Sequence, residues 1–185
     1  MIVPHKTQCY GDSQDPPEES IPMCTLRNFP NQIEHCIEWG RDQFNTFFTS
    51  RVQDAVEFLR APEAFVKQLR QNTTSSGVRH QLADISQLIE LKKTGDITRC
   101  LLEARNIFDK NYDHSIRDLK ALFPDDHTTS SGQPFWSGPK RSPQPVVFNV
   151  EDETSFEFVY NCANLIFANL GMPSIDSATA KSLIS

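Results

Sequence analysis

Between Phe29 and Phe123, apolar residues recur mostly at three- and four-residue spacing, the period that lines up side chains on one face of an α-helix. The spacing predicts a first helix over residues 30 to 48. Pro30 falls in its first turn, and Ile33, Cys36, Ile37, Phe44, Phe47 and Phe48 form its buried stripe. Ser50 with Gln53 reads as a capping box that restarts a helix with Val52, Val56 and Leu59 inward. Pro62 opens a further helix carrying Phe65, Val66 and Leu69, and QNTTSSG at 71 to 77 reads as a polar loop. Leu82, Ile85, Leu88 and Ile89 mark the next helix, closed near Gly95. Asp96 then caps one whose stripe is Ile97, Cys100, Leu101, Ala104, Ile107 and Phe108. Ile116, Leu119 and Leu122 form the last helix of this series before Pro124.

The pattern breaks at both ends of that series. Residues 1 to 23 hold Asp12, Asp15, Glu18 and Glu19 around Pro16-Pro17, with Pro22 beyond, so an extended arm is expected there. Residues 124 to 145 carry five prolines and two glycines together with Phe135 and Trp136. A loop longer than about 12–15 residues is usually functional or disordered, and two large aromatics argue that this one is ordered against the body or a partner. PVVFNV at 145 to 150 allows a short strand. Thr154 with Glu157 reads as a capping box for a helix with Phe156, Val159, Tyr160, Ala163, Ile166, Phe167 and Leu170 inward, closed by Gly171. The remaining tail is weakly helical at best. The expected class is mainly α: a helical domain with long irregular loops and at most a short strand near 145–150. The expected divisions are an arm at 1–23, a domain at 24–172 and a tail at 173–185.

Composition narrows the function. The 185 residues hold 18 Lys+Arg against 24 Asp+Glu, a net charge of -6, which argues against a nucleic-acid binder. No stretch approaches the roughly 20 apolar residues of a membrane span, and MIVPHKTQCY lacks the order of a signal peptide. A soluble intracellular chain is expected. The five cysteines, Cys9, Cys24, Cys36, Cys100 and Cys162, are odd in number, scattered and without a CxxC pair, which favours reduced thiols over a disulfide framework. The histidines are not spaced to complete a metal site. Neither GxGxxG nor GxxxxGK[ST] occurs, so no nucleotide cradle is recognisable.

One thiol stands apart. Cys24 lies in a non-helical stretch after Pro22, just ahead of the first expected helix. There the positive end of the helix dipole and the charge of Arg27 favour a thiolate. The residues alone leave two readings open: a reactive nucleophile, or a small semi-buried residue. Cys36, Cys100 and Cys162 fall on or beside apolar stripes and read as core, and Cys9 lies on the arm. His35 is close to Cys24 in sequence, the pair a thiol hydrolase would need, but no orienting Asn or Asp is evident. Asp125-Asp126 before His127 reads as a solvated turn.

PMCTLRNFPNQIEHCIEWGRDQF, which contains Cys24, resembles the active-site region of ubiquitin-activating enzymes. DSQDPPEESIP upstream and SSGQPFWSGPKR downstream are similar to segments of the same enzymes, in the same order. SUMO-activating enzymes share a shorter pattern, including a run like His35-Cys36-Ile37, while the acidic arm and FWSGPKR favour the ubiquitin branch. Cys36, where that branch often has Thr, and Gly40, where Ala is usual, are departures. The resemblance is to the second catalytic cysteine half-domain.

The resemblance implies that Cys24 accepts ubiquitin from its adenylate as a thioester and passes it to the cysteine of a ubiquitin-conjugating enzyme, in cytoplasm and nucleus. It implies that ATP and Mg are used by adenylation domains outside this chain, which itself binds no cofactor or metal. Thr25 either supports the turn or hydrogen-bonds near the thioester. Asn28 caps the helix, and Arg27 assists electrostatically or binds a partner. Residues 1–23 become a crossover arm. Phe135, Trp136, Lys140 and Arg141 form an interdomain contact or, equally, a self-packed loop. Alternatives are a non-catalytic interaction module of the same fold, or the equivalent domain for a modifier such as SUMO.

Overall fold

The computed structural model describes residues 29–184, and all of its regular structure is helical. In chain order the elements are α1 (Ile33–Phe44), a π-helical turn (Asn45–Ser50), α2 (Arg51–Arg60), α3 (Pro62–Asn72), α4 (Ser75–Thr94), α5 (Ile97–Phe108), a second π-helical turn (Asp109–His114), α6 (Ser115–Leu122), α7 (Glu153–Leu170) and α8 (Ser177–Ile184). The expected mainly α class holds. The segment at 145–150 forms no strand. Its Val146 amide donates to the Tyr112 carbonyl (2.8 Å), and Phe148 and Val150 pack against the core.

The core is built on α5 lying along α7. Cys100, Leu101, Ala104, Ile107 and Phe108 from α5 meet Phe156, Val159, Cys162, Ala163, Ile166, Phe167 and Leu170 from α7, all buried. Ile97 alone of the expected α5 stripe is exposed. Asp96 caps α5 by accepting from the Arg99 amide, and Gly95 and Gly171 close α4 and α7 in the left-handed conformation. Pro62 starts α3, which buries Leu69 and half-buries Phe65 and Val66.

Several boundaries differ from the expectation for local chemical reasons. The α7 cap is Asp152, whose carboxylate accepts from both the Ser155 amide and the Ser155 hydroxyl (2.8 and 2.5 Å), so the Thr154–Glu157 box is not used. Ser75, Ser76 and Gly77 form the first turn of α4 beneath the Thr74 cap, which shortens the polar loop to Thr73–Thr74. The tail folds into α8, started by Asp176 accepting from the Thr179 amide (2.8 Å) and seated by the buried Ala180. Short polar residues capture free amides at each of these turns, and several candidates compete within a few residues.

The largest correction concerns α1 and α2. They join through the π-helical turn without a break, so Ser50 is helical and caps nothing. α1 buries no residue: Ile33 and Ile37 are 66% and 64% exposed, and Phe44 and Cys36 are also exposed. Phe47 and Phe48 do pack against the core. A π-helical turn bonds i to i+5 and so rotates the side chains that follow it. One apolar stripe cannot run unbroken across it. In α2 the inward residues are accordingly Ala55, Val52 and Phe58, while Val56 and Leu59 face out. In α6, Leu122 is exposed while Ile116 and Leu119 are half-buried.

Candidate functional site

Cys24, Thr25, Arg27 and Asn28 lie outside the described residues, as do Cys9 and the arm. The structure does describe the chain immediately after them. The N-cap position of α1 is Gln32, without a side-chain cap bond, so Pro30 lies ahead of the helix rather than in its first turn. The start is organised differently: the Asn31 amide donates to His35 Nδ1 (3.2 Å), and the Asn31 side-chain nitrogen donates to the Phe29 carbonyl (3.2 Å). His35 thus spends its Nδ1 lone pair on the helix entrance, a structural use that explains its place without a hydrolase.

Phe29 leads into an aromatic cluster. Its ring meets Phe135 edge-on at 5.9 Å and Trp136 at 6.0 Å between centroids. Phe135 stacks on Phe123 at 4.2 Å with planes 4° apart, and His127 stands edge-on to both. Trp136 Nε1 donates to the carbonyls of Phe123 (3.0 Å) and Pro124 (3.1 Å). The Lys140 ammonium lies 5.1 Å from the Phe29 ring and 4.6 Å from the Phe135 ring, within range of a cation–π attraction.

The loop that carries these groups is ordered by its own backbone. The Phe135 amide donates to the His127 carbonyl (2.8 Å), and the Thr129 amide donates to Gln133 (2.8 Å). The turn that brings Lys140 back, with its amide on the Ser137 carbonyl (3.1 Å), passes through Gly138 at φ +60, a conformation glycine adopts without strain. Asp125 accepts from Ser142 Oγ (2.5 Å) and pairs with Lys120 (2.9 Å). Those two bonds, the serine first, hold its carboxyl below the usual carboxylate range. Asp125 is thereby a loop tie, while Asp126 is an exposed turn residue.

Of the four loop residues singled out from the sequence, Phe135, Trp136 and Lys140 converge on Phe29, and Arg141 is exposed and lines a neighbouring groove of about 1410 Å³. Trp39, half-buried beside that groove, meets Tyr112 at 5.9 Å. The roles of Phe29 and Phe123 were not read from the sequence. Both bound the helical apolar series, and only their partners from a distant loop reveal them.

The described thiols separate cleanly. Cys100 and Cys162 are buried, and burial pushes both thiols up, Cys162 to about 12. Cys36 is exposed on α1, which corrects the expectation of core packing there, because α1 turns its apolar stripe away from the core. Among the described residues no group of three or more His, Cys, Asp or Glu is placed to hold a metal ion. No described helix is long and apolar enough to cross a membrane.

Comparison with known proteins decides the family. The profile described as "Ubiquitin-activating enzyme, SCCH domain" matches residues 30–185. The chain belongs to that family. It is 42% identical over 174 residues to "Ubiquitin-activating enzyme E1 1" of Schizosaccharomyces pombe, covering 94% of this chain and 17% of the relative. It is 41% identical over 173 residues to "Ubiquitin-like modifier-activating enzyme 1" of Dictyostelium discoideum (93% and 17%), and 37% identical over 172 residues to the human protein of that name (93% and 16%). The SCCH chain therefore spans about a sixth of the length of the curated relatives it matches. Its helical core, its exposed α1 and the loop carrying Phe135, Trp136 and Lys140 fall within the matched region, and Phe29 lies one residue ahead of it.

Proposed function

We propose that this SCCH domain carries ubiquitin as a thioester on Cys24 during ubiquitin activation. The observation that carries the reading is the motif around Cys24, PMCTLRNFPNQIEHCIEW, in a chain that belongs to the family. The thiol inventory supports it: Cys100 and Cys162 are buried and held protonated, and only a thiolate attacks.

The Cys24 thiolate adds to the carbonyl carbon of the ubiquitin adenylate. A carbon–sulfur bond forms, the bond from that carbon to the phosphate oxygen breaks, and AMP leaves with the electron pair. The acyl group then passes to the thiolate of a ubiquitin-conjugating enzyme, and Cys24 leaves as thiolate. AMP is a good leaving group and thioester exchange is nearly balanced, so no His–Asp relay is needed. Thr25 supports the turn, and Arg27 favours the thiolate or engages a partner. Asn28 supports the same segment. Residues 1–23 serve as a hinged crossover from an adenylation domain that uses ATP and Mg. Exposed Arg141 and the outer edge of the Trp136 loop meet that neighbour. The setting is cytoplasm and nucleus.

The test supplies the purified chain with adenylation domains, ATP, Mg and ubiquitin, and reads a thiol-reducible adduct by gel and mass spectrometry. The expected result is an adduct on Cys24 that Cys24→Ala abolishes and Cys36→Ala leaves in place. Cys36 is the exposed rival, and an adduct that survives Cys24→Ala would overturn the assignment.

A further inference from the structure

α1 is anchored by one side only. Trp39 meets Tyr112 of the body, and on the side turned away from Trp39 stand Ile33, Ile37 and Phe44, which are 66%, 64% and 48% exposed. Gly40 lies among them, and a Cβ added there would meet nothing within 4 Å. At 3.6 residues per turn these four positions share a strip about 60° wide. Their steps of four, three and four residues are those of alternating d and a positions in a coiled-coil seam. No other helix of the described residues covers that seam, since α1 buries no residue.

The charges beside the seam select what fits it. With Ile33 and Gly40 at d, Glu34 and Arg41 take the e positions, and Cys36 and Gln43 take the g positions. Antiparallel helices set e against e, so two copies of α1 related by a two-fold axis bring Glu34 of each against Arg41 of the other. Parallel helices set e against g and find no opposite charge there. Shape agrees with charge. In the antiparallel register, Ile37 of one copy falls opposite Gly40 of the other, a large side chain against a missing one, and Phe44 falls opposite Ile33. Arg41 bonds Glu38 within its own helix (2.8 Å) with its side chain 67% exposed, a surface pair that contributes little and leaves the guanidinium open to a second carboxylate.

We propose that α1 is a self-association surface, through which two copies of this chain pair antiparallel about a two-fold axis near Ile37 and Gly40. This is independent of the acyl-carrier reading and uses none of its residues. A single 12-residue helix from each copy supplies less area than the roughly 1,200–2,000 Å² of a stable interface. The dimer is therefore weak and reversible, with a Kd on the order of 100 μM.

The experiment is sedimentation equilibrium of the purified chain between about 10 μM and 1 mM, with reductant present so that thiol cross-links do not contribute. A reversible monomer–dimer equilibrium is expected. Ile37→Asp should remain monomeric throughout, with a melting temperature within about 2 °C of wild type because the position is exposed. Glu34→Arg and Arg41→Glu should each weaken the dimer about fivefold or more, since each change places like charges together twice. The double variant, and an equimolar mixture of the two single variants, should both return to wild-type affinity. Should Ile37→Asp fail to fold, the charge exchange decides alone. A wild-type chain that stays monomeric over the whole range would overturn the proposal and assign the seam to another occupant. A dimer untouched by Ile37→Asp would place association elsewhere, and single charge variants rescued by neither the double variant nor the mixture would overturn the antiparallel pairing.

Discussion

Arg51 of α2 and Glu103 of α5, 52 residues apart, form an ion pair of 2.7 Å with side chains only 12% and 11% exposed. Gln87 of α4 donates to the other carboxylate oxygen at 2.6 Å, so three helices meet on one acidic side chain. Among the described residues the buried Arg51 Nε has no hydrogen-bond partner.

Removing one member should therefore cost more than the pair itself contributes, since the other charge stays buried and unpaired. Arg51→Ala and Glu103→Ala are each expected to destabilise by about 3 kcal/mol, while the double change Arg51→Met with Glu103→Leu costs far less. Urea unfolding of the four proteins measures this. Single-variant losses below about 1 kcal/mol would show that the pair does not join the helices.

Two glycines should respond in opposite directions. Gly40 lies inside α1, and a Cβ added there meets nothing within 4 Å, so Gly40→Ala is expected to stabilise by up to about 1 kcal/mol. Gly171 ends α7 at φ +65, where a Cβ would lie 3.4 Å from Lys92 Nζ, the group that donates to the Leu170 carbonyl. Gly171→Ala is expected to destabilise by about 1–2 kcal/mol. Thermal melts of both variants check the signs.

Thiol labelling should follow burial. At pH 8 Cys36 is expected to react with iodoacetamide in the native protein while Cys162, with its thiol at about 12, keeps roughly one part in 10⁴ as thiolate and labels only on unfolding. The same shift has a stability consequence. Above pH 9 the unfolded chain releases this proton and the folded chain retains it, so stability falls as pH rises from 9 toward 12. Peptide mapping after timed alkylation and melts from pH 8 to 11 test both. Equal native labelling of Cys36 and Cys162 would contradict the buried placement of α7.

Acid should act at the helix starts. Hydrogen bonds from Ser155 and from Thr179 hold Asp152 and Asp176 below the usual carboxylate range. Folded carboxyls with lowered values contribute stability that is complete above the unfolded value and lost as pH falls through the folded one. The melting temperature is therefore expected to drop below about pH 4, and less steeply in Asp152→Asn. An unchanged slope in that variant would remove Asp152 from the account.

The helical class, the Asp96 cap, the Gly95 and Gly171 stops and the family motif at residues 20 to 44 were legible in the sequence. Each depends on residues within a turn or two of one another. Asp152 is hidden in the sequence because Thr154 and Glu157 offer a rival capping box, and choosing between them depends on how the chain enters the helix; Asp176 is hidden because the short tail it opens reads as weakly helical at best. Cys36 was misplaced because a 3.6-residue period was carried across a π-helical turn that the sequence does not announce.

The sequence by itself determined which segments between residues 30 and 170 are helical, where most of them stop, and which cysteine sits in the family's motif, since capping, propensity and motif identity are local properties. Only the tertiary structure decided which face of α1 is covered, that Arg51 reaches Glu103, and that Phe135, Trp136 and Lys140 close on Phe29. Those contacts join residues far apart along the chain. Their choice depends on how whole helices pack against one another, and no local periodicity encodes it.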